Sequence, residues 1–188
     1  MDKRNNLLQL LNKFKGVDEQ EEKSRLEIID FVKSNPECFD NDFKLGHITG
    51  SALVVDKGFI YMLLTYHPVI DKWLQFGGHS DSDPDVLTTA FREAEEESGL
   101  KSLQLVPGHE GIFDVDVHPI PPKVDMPFHN HYDIRVFLTA DMDELYVASH
   151  ESKELKWVEL NEAEKYNQQP AFLRLVKKAR DLGKNLTS

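Results

Sequence analysis

Apolar residues in the first 36 positions recur with the period of an α-helix. Leucine and phenylalanine fill this pattern from residue 5 to residue 15, and a second apolar set runs from Leu26 to Val32. Side chains spaced three and four residues apart share one face of a helix. The pattern therefore predicts two helices before Asn35-Pro36, a dipeptide that disfavours further helix.

The two N-terminal helices carry charges of both signs between their apolar positions. Mixed charge favours packing against the rest of the chain or against a partner subunit over lying on a membrane surface. We therefore expect residues 1–44 to form an N-terminal helical extension and residues 45–188 to form the main domain, with a homodimer as an open alternative.

The next stretch has the pattern of β-strands. Residues 47–56 and 59–67 are rich in β-branched, aromatic and other apolar residues, and the polar turn between them predicts a hairpin. A short strand at residues 72–78 then ends in a Gly-Gly turn. Its two aromatic residues, Trp73 and Phe76, are expected to pack rather than to stack on a base.

A third helical pattern follows the Gly-Gly turn. Asp83 is suited to the N-cap, Pro84 to the first helical position, and Gly99 to the end of the helix. Apolar residues at helical spacing are expected to face the core, namely Val86, Leu87, Ala90, Phe91 and Ala94. The chain is thus predicted to pass from a strand through a tight turn into an amphipathic helix.

Three glutamates lie beside this apolar stripe. Glu93, Glu96 and Glu97 are spaced i, i+3 and i+4, so their carboxylates share one side of the helix, and Arg92 lies one turn before Glu96. A solvated helix face is the ordinary explanation of such a run. Hard divalent cations such as Mg²⁺ prefer carboxylate oxygens, and the adjacent glycine turn and arginine favour a metal-binding face for a phosphate substrate.

The stretch from residue 78 to residue 100 resembles the signature of the Nudix hydrolase superfamily, G-x5-E-x7-R-E-U-x-E-E-x-G-U, in which U is a bulky apolar residue. The matching positions are Gly78, Arg92, Glu93, Glu96, Glu97, Gly99 and Leu100, with Ala94 at the first U. Pro84 stands where the signature has its first glutamate, and Asp83 and Asp85 flank it as candidate substitutes.

The resemblance implies an α/β fold, a Nudix-like α/β/α sandwich around a mixed β-sheet, with residues 45–188 as the Nudix hydrolase domain. It also implies a metal-dependent hydrolase that cleaves a phosphoanhydride (diphosphate) bond in a nucleoside diphosphate linked to another moiety, or in a related nucleotide. Mg²⁺ is the implied cofactor, with Mn²⁺ as a substitute. The implied metal ligands are Gly78, through its carbonyl, Glu93, Glu96 and Glu97. The implied catalytic residues are the same three glutamates together with Arg92, which is expected to pair with their carboxylates.

A second hypothesis is a catalytically silent Nudix-like module that binds a nucleotide or regulates a partner. The intact Glu96-Glu97 pair speaks against this module, whereas Pro84 leaves it open. Metal binding without turnover across a broad substrate panel would favour it over an enzyme.

Two more strands, at residues 103–106 and 111–120, are predicted after the helix. In the second strand Asp114, Asp116 and His118 alternate with apolar residues and therefore project from one face. This row is expected either to bind a metal or a substrate hydroxyl, or to face solvent.

A proline-rich loop at residues 119–127 precedes two histidines in a further strand. His129 and His131 share one face of that strand, where they are expected to bind a transition metal, to contact phosphate or substrate, or to pack as ordinary polar side chains. His79 joins them as a candidate substrate contact, and His118 adds to the positive charge that these rings offer at low pH.

The last part of the chain is expected to hold a strand within residues 149–160, followed by two helices that end at Gly183. The resemblance implies that a carboxylate from this region lies at the substrate, completes the metal site or acts as base. Glu151 is the candidate by its position, with Glu154 as the alternative.

Composition and charge narrow the remaining choices. The chain has 188 residues, 40% of them hydrophobic, and a formal net charge of −11. This size predicts one domain with a proper core, and this charge argues against a nucleic-acid or anionic-membrane partner. Because Cys38 is the single cysteine and no apolar stretch is long enough to span a bilayer, we expect a soluble cytoplasmic protein with a small nucleotide-type substrate.

Overall fold

The structure is a computed structural model that describes residues 2–68, 70–122, 126–147 and 154–186. Its helices are α1 (Asn5–Lys13), α2 (Glu19–Ser34), α3 (Val86–Ser98) and α4 (Pro170–Leu186), with a 3₁₀ helix at Leu160–Lys165. Its strands are β1 (Gly46–Asp56), β2 (Tyr61–His67), β3 (Lys72–Leu74), β4 (Phe76–His79), β5 (Gln104–Leu105), β6 (Asp114–Ile120), β7 (His129–Ala140) and β8 (Glu154–Glu159).

The strands are ordered β3-β2-β1-β7-β5 in a sheet, with β4 paired to β1, β6 to β7 and β8 to β2. The chain divides into two compact units. Unit 1 comprises Met1–Ser51, Gly77–Ala90 and Gly111–Val136, and unit 2 comprises Ala52–Phe76, Phe91–Glu110 and Phe137–Ser188.

The two predicted N-terminal helices are present as α1 and α2. Asp18 caps α2 by accepting a hydrogen bond from the backbone N–H of Glu21 at 2.8 Å. The apolar faces of both helices enter the core of unit 1, where the ring of Phe31 stacks on that of Tyr132 with centroids 3.8 Å apart. Residues on both sides of position 44 therefore share one core, and the predicted domain boundary there stays a prediction.

Helix α3 begins two residues later than the sequence pattern predicts. Asp85, not Asp83, caps it, because the Asp85 carboxylate accepts from the N–H of Thr88 at 3.2 Å and its carbonyl accepts from the N–H of Thr89 at 2.9 Å. Pro84 consequently lies in the turn before the helix. The predicted end is confirmed, since Gly99 adopts φ +72° directly after Ser98.

A buried ion network lies on one face of β6 and β7 in unit 1. The guanidinium of Arg135 donates to Asp133 at 2.8 Å and to Asp114 and Asp116 at 3.2 Å each, and all four side chains are buried. Burial acts to lower the pKa of Arg135, but the three carboxylates around it raise that pKa above its ordinary value. Buried charges are tolerated when they are paired and hydrogen-bonded in this way.

Strand β1 contributes to the same network. The hydroxyls of Thr49 and Ser51 donate to Oδ1 of Asp133 at 2.9 and 2.7 Å. The antiparallel register of β6 and β7 sets the network residues opposite one another, in the pairs Asp114–Arg135, Asp116–Asp133 and His118–His131. Three strands are thus joined through one set of buried polar side chains.

The predicted row of Asp114, Asp116 and His118 requires a correction. The solvent-facing interpretation is wrong for the two aspartates, which are buried and bind Arg135. His118 is partly exposed, with Nδ1 at 3.4 Å from Oδ2 of Asp116. The alternation within one strand could not reveal this, because the arginine that makes burial tolerable lies on another strand.

Unit 2 contains the predicted hairpin and the strands beside it. β2 pairs in antiparallel register with β1, β3 and β8. The rings of Tyr66 and Tyr166 meet Trp73 edge to face, with centroids 5.5 and 5.8 Å away, and Phe76 is fully buried. The prediction that Trp73 and Phe76 pack is confirmed, although the single strand predicted at residues 72–78 is divided into β3 and β4.

The prediction that Gly183 ends the last helix is wrong, since α4 continues to Leu186. A Cβ at position 183 would lie 2.8 Å from the Cβ of Phe59. The glycine therefore allows the helix to pack closely against the β1–β2 turn, and local sequence patterns cannot predict such a contact.

Replacing Arg135 tests how far unit 1 depends on the ion network. Arg135→Met leaves three buried carboxylates without their shared cation, so we expect the free energy of unfolding to fall by about 3–5 kcal/mol in urea denaturation at neutral pH. The control is Lys177→Met, which removes an exposed helical pair with Asp181 and should cost less than about 1 kcal/mol. Equal losses in both variants would contradict this account.

Gly50 tests the contact between β1 and the start of α3. A Cβ there would meet the carbonyl oxygen of Val86 at 2.8 Å and the backbone nitrogen of Ala90 at 2.9 Å. Backbone atoms cannot move aside cheaply, so Gly50→Ala should lower the free energy of unfolding by about 1–3 kcal/mol. Gly111→Ala is the matched control, because its added Cβ meets no heavy atom of the described residues within 4 Å. A stability loss in the control as large as in Gly50→Ala would refute the steric explanation.

Candidate functional site

The acidic face of α3 consists of Glu93, Glu96 and Glu97, together with Arg92. One nitrogen of Arg92, Nη1, lies 2.8 Å from Oε1 of Glu93 and 3.0 Å from Oε2 of Glu96. The side chain of Glu93 is 13% exposed and that of Glu96 is 60% exposed. The predicted pairing of Arg92 with these carboxylates is therefore present, and it draws two of them to a single point on the helix surface.

The other positions of the signature lie in defined elements. Glu97 is half-buried on α3, and Gly78 lies in β4. Asp83 and Asp85 flank Pro84 and use their carboxylates on the turn, since Asp83 accepts from the N–H of Asp85 at 2.9 Å and Asp85 accepts from Thr88. Whether either replaces the missing glutamate stays a prediction, as do the metal roles of Gly78 and Glu97.

A second group of titratable side chains lies in unit 1, where five imidazoles come together. The ring centroid of His47 in β1 lies 4.7 Å from the centroids of His79 in β4 and His131 in β7. It lies 5.1 Å from the centroid of His129. Nε2 of His47 and Nε2 of His131 are 3.1 Å apart. One ring nitrogen from each of His47, His79 and His131 lies within 4.8 Å of the others. The ring of His118 also lies 5.6 Å from that of His131. The structure thus joins all four predicted histidines, with His47 as an addition.

Burial keeps two of these imidazoles, those of His47 and His131, neutral. It lowers the pKa of His131 to about 2 and the pKa of His47 to about 4, and the neighbouring histidines lower both further because two positive rings would repel each other. The switchable positive charge predicted for this group is therefore wrong for His131, which stays uncharged at physiological pH.

His47 is the residue that the sequence pattern missed. It lies in an apolar strand whose polar residues, His47, Thr49 and Ser51, alternate with apolar neighbours. Such alternation places them on one face of β1, and all three are buried. A buried polar face on a strand was the signal available, but its partners lie 82 to 84 residues away.

The C-terminal region contains the two remaining candidate carboxylates. Glu151 lies outside the described residues, whereas Glu154 begins β8 as an exposed residue paired in register with Tyr66. Among the described helices, none combines the length and the apolar character needed to cross a membrane.

Comparison with known proteins gives a family match. The model of the NUDIX domain matches residues 49–178. A search of curated proteins found no match.

Solved structures show the same fold. An Ap4A hydrolase from C. elegans in a binary complex aligns with TM-score 0.60 at 20% identity, over 73% of this chain and 98% of that chain. A NUDIX family hydrolase from Clostridium perfringens aligns with TM-score 0.54 at 26% identity, over 72% and 97%. The dihydroneopterin triphosphate pyrophosphohydrolase of E. coli aligns with TM-score 0.54 at 14% identity, over 70% and 92%.

These likenesses confirm the predicted fold class, a Nudix-like α/β/α sandwich around a mixed β-sheet, with N-terminal helices in addition. The family match spans more than half of the chain and includes the signature with its acidic face. The chain therefore belongs to the NUDIX domain family, as a Nudix-type pyrophosphohydrolase.

Proposed function

We propose that the acidic face of α3 binds Mg²⁺ and that the protein hydrolyses a phosphoanhydride bond in a nucleoside diphosphate linked to another moiety, or in a related nucleotide. The observation that carries the proposal is the convergence of Glu93 and Glu96 on one nitrogen of Arg92. Nudix hydrolases use divalent metal ions and act on nucleotide-type substrates, so these carboxylates have a matching ligand.

The donor set fits a hard cation. Glu93, Glu96 and Glu97 offer carboxylate oxygens within two turns of a single helix, which is the ligand type that Mg²⁺ and Mn²⁺ take in proteins. Gly78 as a further ligand, through its carbonyl, rests on the signature alone. When bound, the ion would neutralise phosphate oxygens and lower the pKa of a coordinated water.

The side chains of α3 have two tasks in this proposal. Glu93, Glu96 and Glu97 hold their oxygens ready as ligands, and the rigid helix keeps their spacing constant. Arg92 orients the carboxylates of Glu93 and Glu96 from beside them, as outer partners of metal ligands do. Because the pair with Glu96 is exposed, it contributes to positioning far more than to stability.

The substrate has to be identified by a direct screen. The names of two structural neighbours, an Ap4A hydrolase and a dihydroneopterin triphosphate pyrophosphohydrolase, are in keeping with a phosphoanhydride substrate. At 20% and 14% identity these neighbours support the fold but do not identify the substrate of this protein. A panel of nucleoside triphosphates, nucleotide sugars, dinucleotides and coenzymes with Mg²⁺ or Mn²⁺ selects it, with product masses locating the broken bond.

Substitution of two glutamates tests the proposed metal site. Glu96→Gln and Glu97→Gln keep the shape of the side chain but remove its charge, so each should lower kcat with Mg²⁺ by about 100-fold or more on the selected substrate. Glu95→Gln is the matched control, because Glu95 lies on the same helix and pairs with Lys101 instead. Its turnover should stay within about twofold of the unmodified protein.

Two outcomes would count against the enzyme. Undiminished turnover in Glu96→Gln and Glu97→Gln would refute the assignment of the acidic face. Equilibrium binding of Mg²⁺ to the unmodified protein, with no turnover anywhere in the panel, would support the silent nucleotide-binding module in its place.

Arg92 tests the positioning role. Arg92→Gln frees two carboxylates from their shared cation, so the Mg²⁺ concentration for half-maximal turnover should rise by about 10- to 100-fold. Lys101→Gln removes the corresponding cation from Glu95 on the same helix and serves as the control. A Mg²⁺ dependence that is the same in both variants would show that Arg92 does not position the ligands.

A further inference from the structure

We propose that His47, His79 and His131 form a second metal site, which binds a divalent transition metal ion of the zinc class. The three residues lie in unit 1 and share no member with the acidic face of α3. The inference therefore does not depend on the proposed hydrolysis. The chemical class of the ion follows from the ligands, because imidazole nitrogen suits zinc, copper, cobalt and nickel and suits Mg²⁺ poorly.

The spacing of the nitrogens fits a tetrahedral ion. Two imidazole ligands of tetrahedral zinc, each about 2.0–2.1 Å from the metal, are about 3.3 Å from each other. Nε2 of His47 and Nε2 of His131 are already 3.1 Å apart. One ring nitrogen from each of the three histidines lies within 4.8 Å of the other two, so a side-chain movement of about 1.5 Å completes three ligand positions.

The protonation state also fits. A histidine binds metal through the lone pair of a neutral ring. Burial lowers the pKa of His47 to about 4 and that of His131 to about 2, so both rings have such lone pairs at neutral pH.

Hydrogen bonding shows that the contact between His47 and His131 is not that of a satisfied core pair. His47 is 1% exposed, and its buried Nδ1 has no hydrogen-bond partner among the described residues. A direct hydrogen bond between His47 and His131 leaves that nitrogen unsatisfied in either tautomer, which is costly in a buried place.

The strands hold the three rings in place. Gly77 has φ +157°, and a Cβ there would lie 2.3 Å from Oγ of Ser51 in β1. Only glycine permits this approach of β4 to β1, which carries His79 to His47. On the other side, Asp133 follows His131 by two residues and binds Thr49 and Ser51, so β7 is fixed against β1 at the same level.

The fourth coordination position is open to a water or an oxyanion, or to His129. The Nδ1–H of His129 donates to the carbonyl of Pro127 at 2.8 Å, which fixes its tautomer and leaves Nε2 as an acceptor. Its ring centroid is 5.1 Å from that of His47 and 5.4 Å from that of His131. Three neutral ligands leave the ion with its full positive charge, which favours an anionic fourth ligand.

Cobalt titration of the 188-residue chain, purified without a polyhistidine tag and freed of metal, tests the site. The titration is carried out in excess Mg²⁺, which occupies carboxylate sites. We expect one equivalent of Co²⁺ to bind with the visible spectrum of tetrahedral coordination, and Zn²⁺ to displace it. His47→Gln, His79→Gln and His131→Gln should each weaken binding by about 10- to 100-fold or abolish it.

The controls separate this site from other ligands and from misfolding. His109→Gln removes a histidine of unit 2 and Glu96→Gln removes a carboxylate of the acidic face, and both should leave the cobalt spectrum unchanged. Circular dichroism checks the fold of each variant. If the buried substitution His47→Gln unfolds the protein, His79→Gln at the end of β4 still tests the site. Zn²⁺ should also raise the Tm of the unmodified protein but not that of folded His79→Gln.

Three results would overturn the second site. They are an absence of tetrahedral cobalt binding in the unmodified protein, an equally strong spectrum in folded His79→Gln and His131→Gln, and loss of the spectrum in Glu96→Gln. The first two leave the proposed hydrolysis intact, because that activity is measured with Mg²⁺ and depends on Glu96 and Glu97. Failure of the hydrolysis test in turn leaves the cobalt result unaffected.

Discussion

Burial of the Arg135 guanidinium is the constraint on which the architecture of unit 1 depends. A charge inside a protein needs opposite charges and hydrogen bonds around it, and Arg135 obtains them from Asp114, Asp116 and Asp133 on two strands. A shift of β6 against β7 by one residue would turn these carboxylates to the other face. The ion network therefore specifies the strand register, and the same register sets His118 opposite His131.

The polar face that begins with this network continues into the histidine group. Along β1, β6 and β7, polar residues repeat every second position, from the arginine and its carboxylates at one end to the imidazoles at the other. The two ends differ in chemistry. The first is charged and internally paired, whereas the second consists of imidazoles, of which burial keeps His47 and His131 neutral. The acidic face of α3 is a third environment, with hard oxygen donors on a helix surface.

Local sequence signals were reliable where one element contains all the information. The N-terminal helices, the β1–β2 hairpin, the end of α3 at Gly99 and the pairing of Arg92 with glutamates were predicted, because they depend on neighbours within a few residues. Predictions were wrong where a distant residue decides. Gly183 continues a helix because Phe59 lies against it, and two aspartates are buried because Arg135 neutralises them.

The family, the helix that carries the signature and the placement of three glutamates on one face were predictable from the order of residues along the chain. These features are predictable because spacings of three and four residues have a fixed geometry in a helix. The capping role of Asp85, the buried ion network and the contact of His47 with His79 and His131 became known only from the folded chain. His47 and His131 are 84 positions apart, and no local periodicity relates residues that meet only when strands pair in a particular register.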